Sequence, residues 1–229
     1  MKTYTTLSKT VLGLLAATAF VFTGCNTDEN GVDAHSVISP QVIESPANTP
    51  QTNTPANPTP APQAEEPEAV VSKVSEALKA QYLDAINAAR ADTQDCGTEG
   101  VFDPAPALVW NDRLGNAAWE HSNDMAQSDT FSHTGSGTAS DVTAQDQNLD
   151  RGSRFSERIK HQGYTAYRVI GENIAAGYAS VEDVVAGWLE SDHHCANLMN
   201  PNFSELGMAL VEKSGTDYTT YWSQEFGGQ

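Results

Sequence analysis

The segment SPQVIESPANTPQTNTPANPTPAPQAEEPE, residues 39–68, holds eight of the eleven prolines in this 229-residue chain. Proline fixes φ and carries no backbone N–H, so such a stretch supplies neither a helix interior nor a central strand. Between the prolines stand mainly Thr, Asn, Gln, Ala and Glu. Their burial cannot offset the entropy of ordering the chain, and the sequence predicts an extended, semi-rigid tether. At roughly 3 Å per residue in the polyproline conformation, about forty residues reach on the order of 100 Å. The fold must be built from residues 70–229, a length suited to one domain with a real core.

Ahead of the tether lie Lys2 and Lys9, the apolar run VLGLLAATAFVF at 11–22, and TGC at 23–25. A basic start, a short apolar run and small residues before a break describe an export signal, expected over residues 1–24. The run is short for a permanent bilayer span. FTGC, residues 22–25, resembles a bacterial lipobox, with Phe22 where an aliphatic residue is usual. That resemblance implies lipidation of Cys25, with residues 25–69 forming the lipid-bearing cysteine and the tether. Asn26 stands in place of the Asp that in many such proteins means inner-membrane retention. The expected location is therefore the cell envelope, at the outer membrane.

Residues 70–229 carry 23 acidic and 10 basic side chains, a net charge of −13. That balance argues against nucleic acid, anionic membrane or acidic polymer as the main ligand, and it suits cations. No internal repeat, Walker-type loop or dinucleotide fingerprint occurs. Val71, Val74, Leu78, Tyr82, Ile86 and Ala89 recur at helical spacing and predict an amphipathic helix over 71–92. DPAPALVWN, 103–111, reads as a proline-bounded extended loop. A second helix is expected over 112–127, with Leu114, Ala117, Ala118, His121 and Met125 along one stripe. The polar stretch 132–153 reads as a long surface loop, 154–164 as a short helix, and 180–191 as a helix opened by Ser180 and Asp183. Residues 206–227 predict two strands around a Ser-Gly-Thr-Asp turn. Helices first and antiparallel strands late imply an α+β fold.

AAWEHSNDMA (117–126), FSH (131–133), GENIAAG (171–177), GWLESDHHC (187–195), NPNFSELGMAL (200–210) and YWSQEF (221–226) occur in that order. Together they resemble the bacterial branch of the CAP superfamily, the cysteine-rich secretory, antigen 5 and pathogenesis-related-1 group, also called SCP-like. The resemblance spans residues 75–227. It implies a three-layer α-β-α sandwich around a central antiparallel sheet, with a cleft that in many members holds two histidines and two acidic residues.

Carried over residue by residue, the resemblance places His133 as the first cleft histidine, Glu172 as the first acid and His194 as the second histidine. The fourth role departs from the pattern. Eukaryotic members have Trp-x-x-Glu, whereas here Trp188 is followed by Leu189, Glu190 and Ser191. Glu190 and Asp192 are the candidate substitutes. His121 lies on the apolar stripe of its helix and is expected as a cleft-wall residue rather than a ligand. His193 stands where relatives commonly have glycine and is expected to face solvent.

Two histidines make only half of a closed zinc site, so the expected cofactor is a weakly held, open-sided zinc ion at His133 and His194. The competing expectation is a metal-free polar cleft, bonded internally through Glu172. The functional expectation is an envelope lipoprotein that binds a small ligand, a lipid or an envelope protein. The alternative is a metal-assisted hydrolase of peptide, ester or cell-wall bonds, with Glu172 as base. With Cys25 taken by lipid in an oxidising compartment, Cys96 and Cys195 remain to form a disulfide.

Overall fold

The computed structural model describes residues 72–229. The expected export signal, Cys25 and the expected tether lie outside the described residues. No helix among the described residues is long and apolar enough to cross a membrane.

The core is a four-stranded sheet in the order β3-β5-β6-β4, comprising β3 (Val109–Trp110), β4 (Val169–Ala176), β5 (Glu205–Glu212) and β6 (Thr220–Gly228). β5 and β6 form the expected hairpin, pairing from Glu205↔Gly227 to Glu212↔Thr220. β4 runs antiparallel to β6, while the two-residue β3 pairs parallel to β5, so the sheet is not wholly antiparallel. A separate small hairpin joins β1 (Gln94–Asp95) to β2 (Val101–Phe102) through a 3-10 turn at Gly97–Glu99.

Helices cover both faces of the sheet. α2 (Asp112–Ser128) and α4 (Phe155–His161) lie on one face. α1 (Glu76–Arg90), α5 (Val181–Leu189) and α6 (Asp192–Leu198) lie on the other. This is the three-layer α+β sandwich that the sequence motifs imply. Each long helix starts on a side-chain cap, since Ser75, Asn111 and Ser180 each accept from a first-turn N–H. α2 seats so closely that a Cβ on Gly207 of β5 would strike the backbone of Leu114 and Gly115. Glycine there lets the helix rest on the strand. On the opposite face Trp188, Trp222, Phe203 and Phe226 fill the larger core, the two phenylalanines stacked at 4.9 Å. Each such phenylalanine contributes about 1.5–3 kcal/mol relative to leaving it exposed.

Three local expectations need correction. The buried stripe of α1 is Lys79, Tyr82, Ile86 and Arg90, with Leu78 exposed. The Lys79 ammonium is accommodated by Glu76 at 2.6 Å and Asp112 at 2.7 Å. The 132–153 stretch is not simply a surface loop. It carries α3 (Val142–Asp146) and wraps around two buried carboxylates. Asp124 accepts from Ser136 N and from the hydroxyls of Ser136 and Ser140; Asp141 accepts from the N–H groups of Gly137, Ala144 and Ser153. Finally, α5 ends at Leu189 and a new helix, α6, starts at Asp192, so His193 and His194 are helical.

Candidate functional site

β4 reads VIGENIAA and forms one edge of the sheet. Side chains alternate along a strand, so neighbours point into opposite layers. Ile170 and Ile174 pack into the clusters of α2 and α4, and Glu172 shares their face. Asn173 faces the other way, where its Nδ2 donates to the Gln224 side chain at 3.0 Å and to the His194 carbonyl at 3.3 Å. Asn197 of α6 in turn donates to the Glu172 carbonyl at 3.1 Å. A side chain at Gly171 would strike Asn197 and Phe203. The GEN motif is thus the seam where both helical layers meet the sheet edge.

On the α2/α4 face three segments converge on Glu172. His133 Nδ1 lies 2.7 Å from Oε1, and Arg158 Nη2 donates to Oε2 at 2.6 Å. Arg158 also donates to the carbonyls of His133 at 3.1 Å and Ser153 at 2.8 Å, fixing the loop that carries the histidine. His121 Nε2 sits 2.9 Å from the Ser132 carbonyl and 3.8 Å from Glu172 Oε2. The side chains of Glu172 and Arg158 are 1% exposed, whereas that of His133 is 29% exposed. Of these, His133 is therefore the one that reaches solvent.

The electrostatics follow from that burial. Burial alone would raise the Glu172 carboxyl, but the Arg158 guanidinium, His121 and the His133 hydrogen bond together outweigh it and hold the group well below the usual carboxylate range. Burial, then Arg158, pushes His121 down to about 3, so its imidazole is neutral. Its Nε2–H donates to the Ser132 carbonyl, and the buried Nδ1 is left without a hydrogen-bond partner. In neutral His133 the Nδ1–H donates to Glu172, which leaves the Nε2 lone pair for a ligand or cation.

The second histidine belongs to the other layer. His194 Nδ1 meets the Ser191 hydroxyl at 2.9 Å. The serine at the position matched to the eukaryotic glutamate thus takes up the imidazole itself. Neither expected substitute does so. Glu190 is exposed at the end of α5, where its charge acts on Tyr178. Asp192 accepts from Thr98 N at 2.8 Å and from its hydroxyl. His193 is exposed, with Nδ1 2.8 Å from Glu99 Oε1. Cys195 of α6 is bonded to Cys96, joining residues 99 positions apart. Contacts from Asp192, His193 and Cys195 therefore pin α6 to the β1–β2 hairpin. Among the described residues no group of three or more His, Cys, Asp or Glu side chains is arranged to hold a metal ion. Of the two expected metal-ligating histidines, His133 has its ring oriented by Glu172 and His194 by Ser191.

Two members of the cluster escaped the sequence reading. Arg158 sits in a short helix rich in charge, and only its adjacency to the buried Ile159 hints that it turns inward. Glu225 lies directly across from Glu172 in the β4–β6 register and is fully buried. The alternation of YWSQEF carries that signal, since Glu225 shares a strand face with Ser223 and opposes Gln224.

The profile of the family described as "Cysteine-rich secretory protein family" matches residues 83–226. The uncharacterised Bacillus subtilis protein YkwD is 32% identical over 122 residues, covering 53% of this chain and 40% of that protein. The uncharacterised Bacillus subtilis membrane protein YlbC is 28% identical over 119 residues, 52% of this chain and 28% of its own length. The chain thus spans less than half the length of either relative. Among solved structures, an extracellular SCP-domain protein of Bacillus anthracis superposes with a TM-score of 0.48 at 24% identity, covering 66% of this chain and 40% of that one. An outer surface protein of Borrelia burgdorferi gives 0.46 at 18% identity, covering 67% and 90%. With more than half of its length matched by the family profile, the chain belongs to the cysteine-rich secretory protein, or CAP, family.

Proposed function

We propose that this is an exported, lipid-anchored CAP-domain protein of the bacterial cell envelope, held at the outer membrane through Cys25. In this reading it binds a small ligand, a lipid or an envelope protein at the β4 edge, without a covalent catalytic step. The observation that carries the binding role is the Glu172–His133 pair: a buried, charged carboxylate fixes one imidazole nitrogen and leaves the other for the cleft. The two histidines approach β4 from opposite layers, and a weakly held zinc ion would draw on both, with water completing its shell. Such an ion would act as a Lewis acid toward an oxygen of the ligand.

Hydrolysis is the weaker reading. Glu172 is a poor base here, because both its oxygens are engaged and its charge is stabilised. No serine or cysteine among the described residues hydrogen-bonds to the His133 ring. The specific observation on the other side is the Ser191–His194 contact. An ester or peptide assay that loses activity in Ser191→Ala would favour it.

Zinc calorimetry on the full-length protein at neutral pH tests the binding reading. His133→Ala and His194→Ala are each expected to abolish uptake, while His193→Ala leaves it nearly intact. Imidazolium cannot ligate, so affinity should weaken on acidification. Equal losses from His193→Ala and His194→Ala would overturn the assignment. Anchoring is tested by Cys25→Ser, which should move the protein out of the membrane fraction.

A further inference from the structure

Phe131 and Tyr218 are each 45% exposed, yet they touch, with ring centroids 5.7 Å apart and planes tilted by 53°. Apolar rings side by side in water carry a cost that folding ordinarily removes. Several contacts hold them there. Phe131 lies between two fixed points of the chain: Thr130 N donates to the Met125 carbonyl at 3.1 Å, and the Ser132 carbonyl accepts from His121 at 2.9 Å. Tyr218 stands in the β5–β6 turn, edge to face with buried Tyr221 at 6.1 Å. Asp129, the left-handed C-cap of α2, ties that turn down: its Oδ1 accepts from Asp217 N at 2.9 Å and from the Tyr221 hydroxyl at 2.7 Å. Gly177, just past β4, sits against Tyr218, where an added Cβ would lie 3.8 Å from the ring. Thr219 takes φ 63°, a left-handed conformation that a β-branched residue rarely adopts. The pair is thus set in place in advance, two residues along the chain from His133.

What surrounds the rings restricts what they can meet. Asp129, Thr130, Ser132, Asp217 and Thr219 are all exposed. Both donors to Asp129 use Oδ1, which leaves Oδ2 for a donor from outside. The two carboxylates, in a strongly acidic domain, repel an anionic headgroup or an acidic sugar. An acyl chain gains about 0.8 kcal/mol per buried CH₂, and two open rings do not enclose one. A lone ammonium would leave the three hydroxyl side chains unused, and an exposed cation–π contact is worth only about 0.5–1 kcal/mol. A neutral pyranose matches the whole patch. Its C–H face is apolar and stacks on an aromatic face, while its hydroxyls donate to carboxylates and exchange hydrogen bonds with Ser and Thr. Two tilted rings suit consecutive sugars of a β-linked chain, whose faces turn from one residue to the next. We infer that Phe131 and Tyr218 form a glycan platform that takes a neutral β-linked oligosaccharide, its hydroxyls held by Asp129 and the neighbouring Ser and Thr side chains. This names the ligand class of the binding reading, and it rests on that reading for one point, that His133 meets the same ligand.

The test is NMR on full-length protein carrying ¹³C-labelled Phe and Tyr, titrated with cellotetraose and with the β-linked N-acetylglucosamine tetramer. EDTA is present so that no metal takes part, and decanoate and choline are run alongside. At least one tetraose is expected to shift the Phe131 and Tyr218 ring resonances saturably. Phe131→Ala and Tyr218→Ala should each weaken that tetraose by about tenfold or more, whereas Tyr218→Phe, which keeps the ring, should stay within about threefold. Should Tyr218→Ala disturb the turn, Phe131→Ala and the wild-type ring shifts decide. No saturable shift with either tetraose, shifts with decanoate or choline alone, or tetraose binding that survives Phe131→Ala/Tyr218→Ala would each overturn the inference. His133→Ala separates the two claims. Tetraose binding that is lost with the rings but indifferent to His133→Ala keeps the platform and removes His133 from the ligand site. A failure of zinc uptake likewise leaves the platform standing, since the titration holds no free metal.

Discussion

The two sides of β4 are held in place by different physics. On the α2/α4 side, Glu172, Arg158, His121 and Glu225 are almost fully buried, and one guanidinium serves a carboxylate and two carbonyls. On the α6 side, the Asp192–Thr98 and His193–Glu99 contacts lie in or near solvent, and the tie that does not depend on charge is the Cys96–Cys195 bond. Desolvated charges give sharp geometry but fail badly when one partner is removed. Exposed pairs give little energy, and a covalent link supplies what they lack. The proposed binding site draws on both layers, so its two histidines should respond to different insults.

The largest effect is expected from Arg158→Met, which leaves Glu172 buried without its cation. Breaking a buried pair from one side costs about 3–5 kcal/mol. Urea unfolding at pH 7 should show it, and Arg158→Met/Glu172→Met should recover much of the loss, since both charges then leave together. A double variant as unstable as the single one would mean that Arg158 acts through its bonds to the 133 and 153 carbonyls instead.

Next comes the disulfide. In the chain-entropy account a closed loop of about 100 residues is worth up to roughly 4.7 kcal/mol, and typical measured values are about 2–4 kcal/mol. Cys96→Ser/Cys195→Ser should therefore cost less than Arg158→Met and act in a different place. Hydrogen exchange should rise in α6 and the β1–β2 hairpin, with α2, α4 and the Glu172 pairings unchanged. Equal loosening of both layers would erase the distinction between them.

How far this contrast was legible in the sequence depends on the kind of interaction. The helices α1, α2, α4 and α5, the β5–β6 hairpin and the pairing of Cys96 with Cys195 follow from periodicity, turn residues and cysteine arithmetic, all of which are local or countable. β4 was not legible as a strand, because Gly171, Glu172 and Asn173 interrupt any apolar alternation on an edge that gives both faces polar work. The buried cluster draws residues 121, 133, 158, 172 and 225 from five segments, and no spacing rule links them. Arg158 meets Glu172, and Glu225 comes to lie opposite Glu172, only after folding, so each looks like surface when read alone. Lys79 in place of Leu78 is the same lesson on a smaller scale: a rotation of one residue is decided by partners in α2.

Acid should act mainly on the α2/α4 side. Glu172 and Asp141 are both buried, which raises their carboxyls, but Arg158, His121 and His133 together in one case and the Ser153, Gly137 and Ala144 donors in the other bring them below the usual range. A folded value below the unfolded one gives stability that is present above the unfolded value, about 4, and lost as pH falls through the folded one. Urea midpoints should therefore decline from pH 5 toward pH 3, with exchange in residues 134–153 rising before exchange in α6. Asp141→Asn should be less stable than wild type at pH 7 and should show a shallower acid decline. An unchanged slope in that variant would place the acid sensitivity elsewhere.

The smallest effect belongs to His193, and its smallness is what tests the comparison. The side chains of His193 and Glu99 are 46% and 38% exposed, and the histidine carries charge only when protonated. Water screens such a pair, and holding two side chains in one geometry costs entropy, so exposed ion pairs are worth about 0–1 kcal/mol. His193→Ala should lower stability by less than about 0.5 kcal/mol. Any loss should shrink further in high salt, where screening acts over a few ångströms. The disulfide still holds α6 in that variant, so the Ser191–His194 contact and zinc uptake should persist. A cost approaching that of removing the disulfide would mean that surface contacts, rather than the covalent tie, set the position of α6.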